Sequence, residues 1–210
     1  MIIKDVITSA KYSELSSVSV KNNVEAIVAF INFGMIELYS RFPIKVEEHV
    51  INLVTGTPFY DLPSNFISAT GAFAEVPADS NSGEKFFEIA INDEDDPFSI
   101  FINSWKKVQV PASVTGSFIS LLYVAKPEPI TLAQAEDGVT ELELPDTLVS
   151  ALMHYIGYKG HLGVKSDAQS ENNAQWARFE RSCNQAVENG VAFPSDTMSM
   201  PDRLADRGFA

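Results

Sequence analysis

His154 and His161 are the first residues that could do chemistry, two imidazoles in one stretch with six residues between them. On a helix that spacing is two turns, about 10.5 Å of rise. A single metal ion held by two histidines of one helix needs them a turn apart, as in H-E-x-x-H. Nothing fills the gap, so the pair reads as part of a polar line. Ser150, His154, Gly157 and His161 fall at i, i+4, i+7 and i+11, stacked on one face. Gly157 and Gly160 leave room for another backbone, which favours a packing seam over a ligand set.

Asp93-Glu94-Asp95-Asp96 offers carboxylates for a hard cation such as calcium. The run lacks the turn glycine and the distal bidentate glutamate of a calcium loop, and Pro97 follows directly. A solvated acidic loop tip is the reading. Cys183 is the only cysteine, which excludes an internal disulfide and a cysteine zinc cluster. It lies on the apolar strip of a helix, where a buried, unreactive thiol is expected. Trp105 with Lys106 and Lys107 resembles a stacking platform for single strands, but two lysines in acidic surroundings make a poor one. No G-x-S-x-G elbow, P-loop or G-x-G-x-x-G occurs. The expectation is a protein without catalytic residues, cofactor or metal.

Charge narrows the partners. Fifteen Lys and Arg against 28 Asp and Glu give a formal net charge of -13, so unaided binding to nucleic acid is not expected, since phosphate contacts need clustered cations. Hydrophobic residues make up 45%, enough for a packed core. No window reaches the roughly 18 apolar residues of a membrane span, and the N-terminus lacks the apolar run of a signal peptide. A soluble, non-secreted protein is expected.

The elements that must position these residues centre on Thr140 to Lys165. Thr140, Leu142 and Leu144 alternate with Glu141 and Glu143 as in a strand. Pro145 and Asp146 then suit the first turn of a helix. From Leu148 that helix is apolar almost all round, through Val149, Leu152, Met153, Tyr155, Ile156, Tyr158 and Leu162, which predicts neighbours on more than one side. Earlier, a short helix is expected from Ile2 to Leu15. A second, capped by Asn22 or Asn23, carries Val24, Ile27, Val28, Ile31, Met35 and Leu38 at helical spacing until Pro43 stops it. Strand-like alternation at Val50 to Val54 leads to the turn Thr55-Gly56-Thr57-Pro58 and to Phe59-Tyr60-Asp61-Leu62-Pro63. Candidate strands follow at Ala72–Val76, Phe86–Ile91, Phe98–Ile102, Lys107–Val110 and Ser117–Val124, closed by Lys126-Pro127-Glu128-Pro129. A last helix covers about Ala168 to Asn189, ended by Gly190. The fold class is therefore α+β, a helical bundle (1–58 and 126–190) with an inserted small antiparallel β module (59–125). Residues 191–210 lack periodicity and read as an extended C-terminal arm that orders against a partner.

Several of these segments resemble the head-to-tail connector, or adaptor, proteins of tailed bacteriophages, especially the short-tailed type. They include V-E-A-I-V-A-F-I-N-F-G-M-I-E-L-Y-S-R and F-Y-D-L-P-S-N-F-I-S. The others are S-F-I-S-L-L-Y-V-A-K-P and T-E-L-E-L-P-D-T-L-V-S-A-L-M-H-Y-I-G-Y-K-G. That family pairs an L-Y-x-A-x-P strand with an L-P-x-x-x-x-x-A-L-x-x-Y-x-x-Y helix, matched by Leu122, Tyr123, Ala125, Pro127, Leu144, Pro145, Ala151, Leu152, Tyr155 and Tyr158.

The resemblance implies a structural virion protein, made in the host cytoplasm and placed at the head-tail junction. It implies a homo-oligomeric ring of about twelve copies beneath the portal protein. The ring would bridge to a tail nozzle or tail tube protein around double-stranded DNA that passes without specific binding, with no membrane involved. The arm would supply the contacts to portal or neighbouring subunit, through Met198, Met200, Arg203, Arg207 and Phe209. Acidic walls suit a conduit, since carboxylates repel phosphates. The alternative is a carbohydrate- or cation-binding module that uses the β insertion.

Overall fold

The computed structural model describes residues 1–75, 86–104, 106–162 and 168–190. They fall into two units: a helical one from Met1–Ile44 and the described chain from Pro127 on, and a β unit over Lys45–Lys126. The class is α+β: the described residues form five α-helices and antiparallel sheets.

In the helical unit, α1 (Ile3–Tyr12) buries Ile3, Val6, Ile7 and Ala10, the i, i+3, i+4, i+7 stripe that a surface helix turns to its core. α2 (Val24–Arg41) starts where the Asn23 side chain accepts from the Ala26 N–H at 3.0 Å, taking up one of the donors a helix start leaves free. It stops at Phe42, the residue before Pro43, where the following ring disfavours helical backbone. α4 (Asp146–His161) opens at Pro145 and carries Asp146 in its first turn. α5 (Ala168–Glu188) is closed two residues on by Gly190, whose φ of 74° is the left-handed value that glycine adopts without a Cβ clash.

α4 is the centre of this unit. It packs against α1, α2 and α5, with Leu148, Ala151, Leu152, Tyr155 and Ile156 buried. The neighbours that its all-round apolar surface predicts are largely supplied by the same chain. Gly34 of α2 meets Leu152 directly: a Cβ there would stand 2.5 Å from Leu152 Cδ1.

In the helical unit two segments differ from the sequence reading. Thr140–Leu144 is no strand; a single bridge joins Glu141 to Ile2, with Ile3 N–H donating to the Thr140 carbonyl at 3.0 Å and Leu142 N–H to that of Met1 at 2.8 Å. The alternation survives as burial, Leu142 and Leu144 inside and the glutamates outside, but the only ladder partner is the chain's first residues. The other is α3 (Leu132–Asp137), which hydropathy did not reveal. It is held by a capping box, Thr131 Oγ1 accepting from Gln134 N–H while Gln134 Oε1 accepts from Thr131 N–H. Gly138, at φ 71°, ends it.

The β unit holds a four-stranded sheet in the order β1-β7-β3-β4 and a three-stranded one in the order β2-β6-β5. The strands are β1 (Val46–Asn52), β2 (Phe59–Asp61), β3 (Phe66–Glu75), β4 (Phe86–Ile89), β5 (Phe101–Ser104), β6 (Lys107–Gln109) and β7 (Phe118–Ala125). Ile51, Ala72, Ala74, Ile89, Ile119 and Leu121 of the first sheet share one core with Val108 of the second and with Leu62, Ile100, Val110 and Val114 from the connections. β7 is the central strand and is buried almost throughout. Its register pairs Val46 with Val124 and Asn52 with Phe118. Residues 45–58, which the sequence reading grouped with the helices, therefore fall in the β unit, because β1 finds its partner in β7.

Candidate functional site

The polar line on α4 meets the chain's own loop and helix. Ser150 is exposed. His154 Nδ1 lies 3.7 Å from Glu14 Oε1, and buried His161 has its Nε2 3.1 Å from the Glu14 carbonyl oxygen. Between them, Gly157 faces Glu14 and Gln175: an added Cβ would lie 3.0 Å from Gln175 Cδ and 3.2 Å from Glu14 Cβ. Gln175 of α5 is buried and its Nε2 donates to Glu14 Oε2 at 2.6 Å. Close approach at Gly157 thus serves side chains and not a second backbone. Gly160 does the same for Leu15, whose Cδ2 a Cβ would overlap. The structure brings His154, Gly157 and His161 together around Glu14 and leaves Ser150 outside the group.

Beside this line lies a cluster that the sequence reading did not single out. Tyr155 and Phe179 rings meet edge to face with centroids 5.4 Å apart. Trp176 lies 5.0 Å from Tyr158 and 5.1 Å from Phe179. Arg41, at the end of α2, sits 4.8 Å over the Phe179 ring and 5.7 Å from that of Trp176. Its guanidinium donates in a fork to both Glu180 oxygens, at 2.9 and 3.0 Å, and through Nε to Glu37 at 2.8 Å. The Glu180 bonds raise its pKa above the usual arginine value, ahead of burial, which opposes them. Lys159 Nζ lies 5.4, 5.6 and 5.8 Å from the ring centroids of Tyr155, Tyr158 and Phe33, cation–π range for each. The available signal was the aromatic pairing at i, i+3 on two consecutive helices, 155/158 and 176/179.

Cys183 is 4% exposed, and burial pushes its thiol up to about 11, so the thiolate needed for nucleophilic chemistry is scarce at neutral pH. In the acidic loop, Asp93 Oδ1 accepts from Asp95 N–H at 3.0 Å and Asp96 Oδ1 from Phe98 N–H at 2.9 Å. These carboxylates cap their own turn. Among the described residues no group of three or more His, Cys, Asp or Glu side chains is placed to hold a metal ion. Trp105 lies outside the described residues, as do Met198, Met200, Arg203, Arg207 and Phe209. Lys107 lies 4.0 Å from Asp61 across the β2–β6 pair.

The β unit has an open cleft of about 530 Å³ between the turn at Thr55-Gly56 and the Pro111–Gly116 loop. The hydroxyl of its one ring, Tyr60, is already engaged, accepting from Val54 N–H at 2.8 Å. No described helix is long and apolar enough to cross a membrane.

Part of the apolar surface that the helical unit leaves in water lies on one line of α2. Phe33 is 56% and Ile36 40% exposed, beside exposed Ala29. A search of curated proteins finds no match. The SU10 adaptor protein family model matches residues 1–202, nearly the full length and both units. The chain belongs to the SU10 adaptor protein family, which makes it a structural adaptor of a tailed bacteriophage and a component of the virion, associated with portal and tail.

Proposed function

We propose that copies of this chain assemble into a closed ring between portal and tail, around the channel through which DNA leaves the head, and that the protein performs no enzymatic reaction. The observation that carries the proposal is the family match over residues 1–202 of 210. A ring of about twelve copies is the stoichiometry that the resemblance implies for a docked adaptor. The net charge of -13 suits such a passage, because carboxylates facing the channel repel phosphate and let the duplex slide without specific binding.

Residues 191–210 supply the contacts to portal or neighbouring subunit in this account, with Met198, Met200 and Phe209 giving apolar area and Arg203 and Arg207 the charge. Three residues of the α4 line take a different part: His154, Gly157 and His161 hold Glu14 and Gln175 against α4, with exposed Ser150 outside that group, so that each subunit enters the ring as a rigid body. Electron microscopy of the purified protein mixed with its portal tests the proposal. A ring of added density on one face of the portal supports it, and a portal left bare at saturating protein contradicts it.

A further inference from the structure

The described helical unit carries a half-buried cation, Lys159, and an exposed carboxylate, Glu136, each flanked by exposed apolar side chains. In the first, Lys159 of α4 lies over the Phe33 ring of α2, with Phe33 56% and Ile36 40% exposed. Among the described residues Lys159 has no carboxylate partner and its ammonium donates no hydrogen bond, in a protein where acids outnumber bases by 28 to 15. The second lies on α3. Leu132 and Glu136 stand one turn apart, i and i+4, and share a face; Val139 follows just beyond the Gly138 cap. Leu132 is 37% and Val139 75% exposed, and the exposed Glu136 has no ion-pair partner among the described residues.

Lone apolar residues on a surface need no explanation. Two groups that match in kind, apolar–cation and apolar–anion, do. Their placement also matters. α3 approaches α2 on the side of Asn32, whose Nδ2 donates to the Ile130 carbonyl at 3.0 Å and whose Oδ1 accepts from Ile130 N–H at 2.8 Å. Phe33 is the next residue, about 100° further round the helix. Among the described residues no ion pair joins Lys159 to Glu136, which leaves the match to a second copy.

We infer that the Phe33–Ile36–Lys159 face of one subunit receives the Leu132–Glu136–Val139 edge of the next, with Lys159 paired to Glu136. Because the two surfaces differ, the contact is heterologous, the type that closes into a ring when the rotation is right. This inference rests on the ring reading and names the surfaces that form it.

A charge swap tests it. Glu136→Lys lies on an exposed face and Lys159→Glu on a half-buried one; the melting temperature of each is recorded to confirm folding. Each single variant is expected to raise the concentration for half-maximal ring assembly by about 10-fold or more, since it sets like charges opposite each other. The double variant, Lys159→Glu with Glu136→Lys, is expected to restore assembly. Single variants that assemble like the wild type overturn the pairing, as does a double variant no better than either single. Wild-type protein that forms no ring, alone or on portal, overturns the ring reading itself, an outcome distinct from the other two. Glu136→Lys alone decides the matter should Lys159→Glu fail to fold.

Discussion

Gly34 of α2 and Leu152 of α4 touch so closely that no side chain fits between them: a Cβ at Gly34 would stand 2.5 Å from Leu152 Cδ1 and 3.0 Å from Tyr155 Cδ1. Leu152 is fully buried, so it has no free volume to retreat into. Replacing glycine by alanine inside a helix gains about 1 kcal/mol of propensity, whereas overpacking a filled core costs about 1–3 kcal/mol. The second term wins. Gly34→Ala is expected to lower stability by about 1 kcal/mol and Tm by roughly 2–4 °C, read by thermal denaturation; an unchanged or higher Tm means that α2 and α4 are not in this contact.

Gly157 gives a related prediction with a different reporter. Its Cβ would meet Gln175 and Glu14, both polar and both tied into one hydrogen-bond group. Gly157→Leu is expected to destabilise the folded subunit by about 2 kcal/mol or more, through overpacking and loss of the Gln175–Glu14 bond. Gln175→Ala in the same background should recover part of that loss. A double variant no more stable than Gly157→Leu alone would remove Gln175 from the seam.

Tyrosine ionisation sets an alkaline limit in each unit. Burial, then the Glu143 charge, raises Tyr39 from 10.0 to about 12; its hydroxyl donates to the Glu143 carbonyl at 2.6 Å. Burial, then the hydrogen bond to Glu47 at 2.8 Å, raises Tyr123 to about 12. A folded-state pKa above the unfolded one favours the protonated form, so the stability it contributes is complete below pH 10 and lost as pH rises from 10 towards 12. Denaturant titrations across that range should show the fall. Tyr39→Phe is expected to remove its share of the fall and leave that of Tyr123, while costing about 1 kcal/mol at neutral pH from the lost bond. A wild-type stability that holds constant to pH 12 would contradict both shifts.

The C-terminal segment is separable in this account. Gly190 closes the last described helix, and the buried residues among those described in both units lie before it. Deleting residues 191–210 is expected to leave Tm within a few degrees of the full chain and to abolish portal binding in a co-sedimentation assay. Binding retained by the truncated protein would assign the docking contacts elsewhere.

Much of this was legible from residue order. Asn23 before an apolar period gave α2 its start, Pro43 its end, and Leu144-Pro145-Asp146 the opening of α4. Strands β4 and β7 lie close to their alternating runs. Three things were not legible, for physical reasons. Thr140–Leu144 alternates like a strand, but alternation reports only which side is buried, and its pairing partner is the chain's first residues. α3 is too short to show a period, although Thr131-x-x-Gln134 spells its capping box. The apolar circumference of α4 promised neighbours without saying whose, and α1, α2 and α5 of the same chain provide most of them. Surface for a second copy had to be sought elsewhere, at Phe33, Ile36 and Val139.

The most direct test of the ring is the mass of the complex that the full-length chain forms with purified portal, measured by native mass spectrometry across a titration. The account predicts one discrete species, with a fixed whole number of chains, about twelve, on each portal and no partially filled series at saturation. A chain that stays monomeric at high concentration and adds no mass to the portal would contradict it.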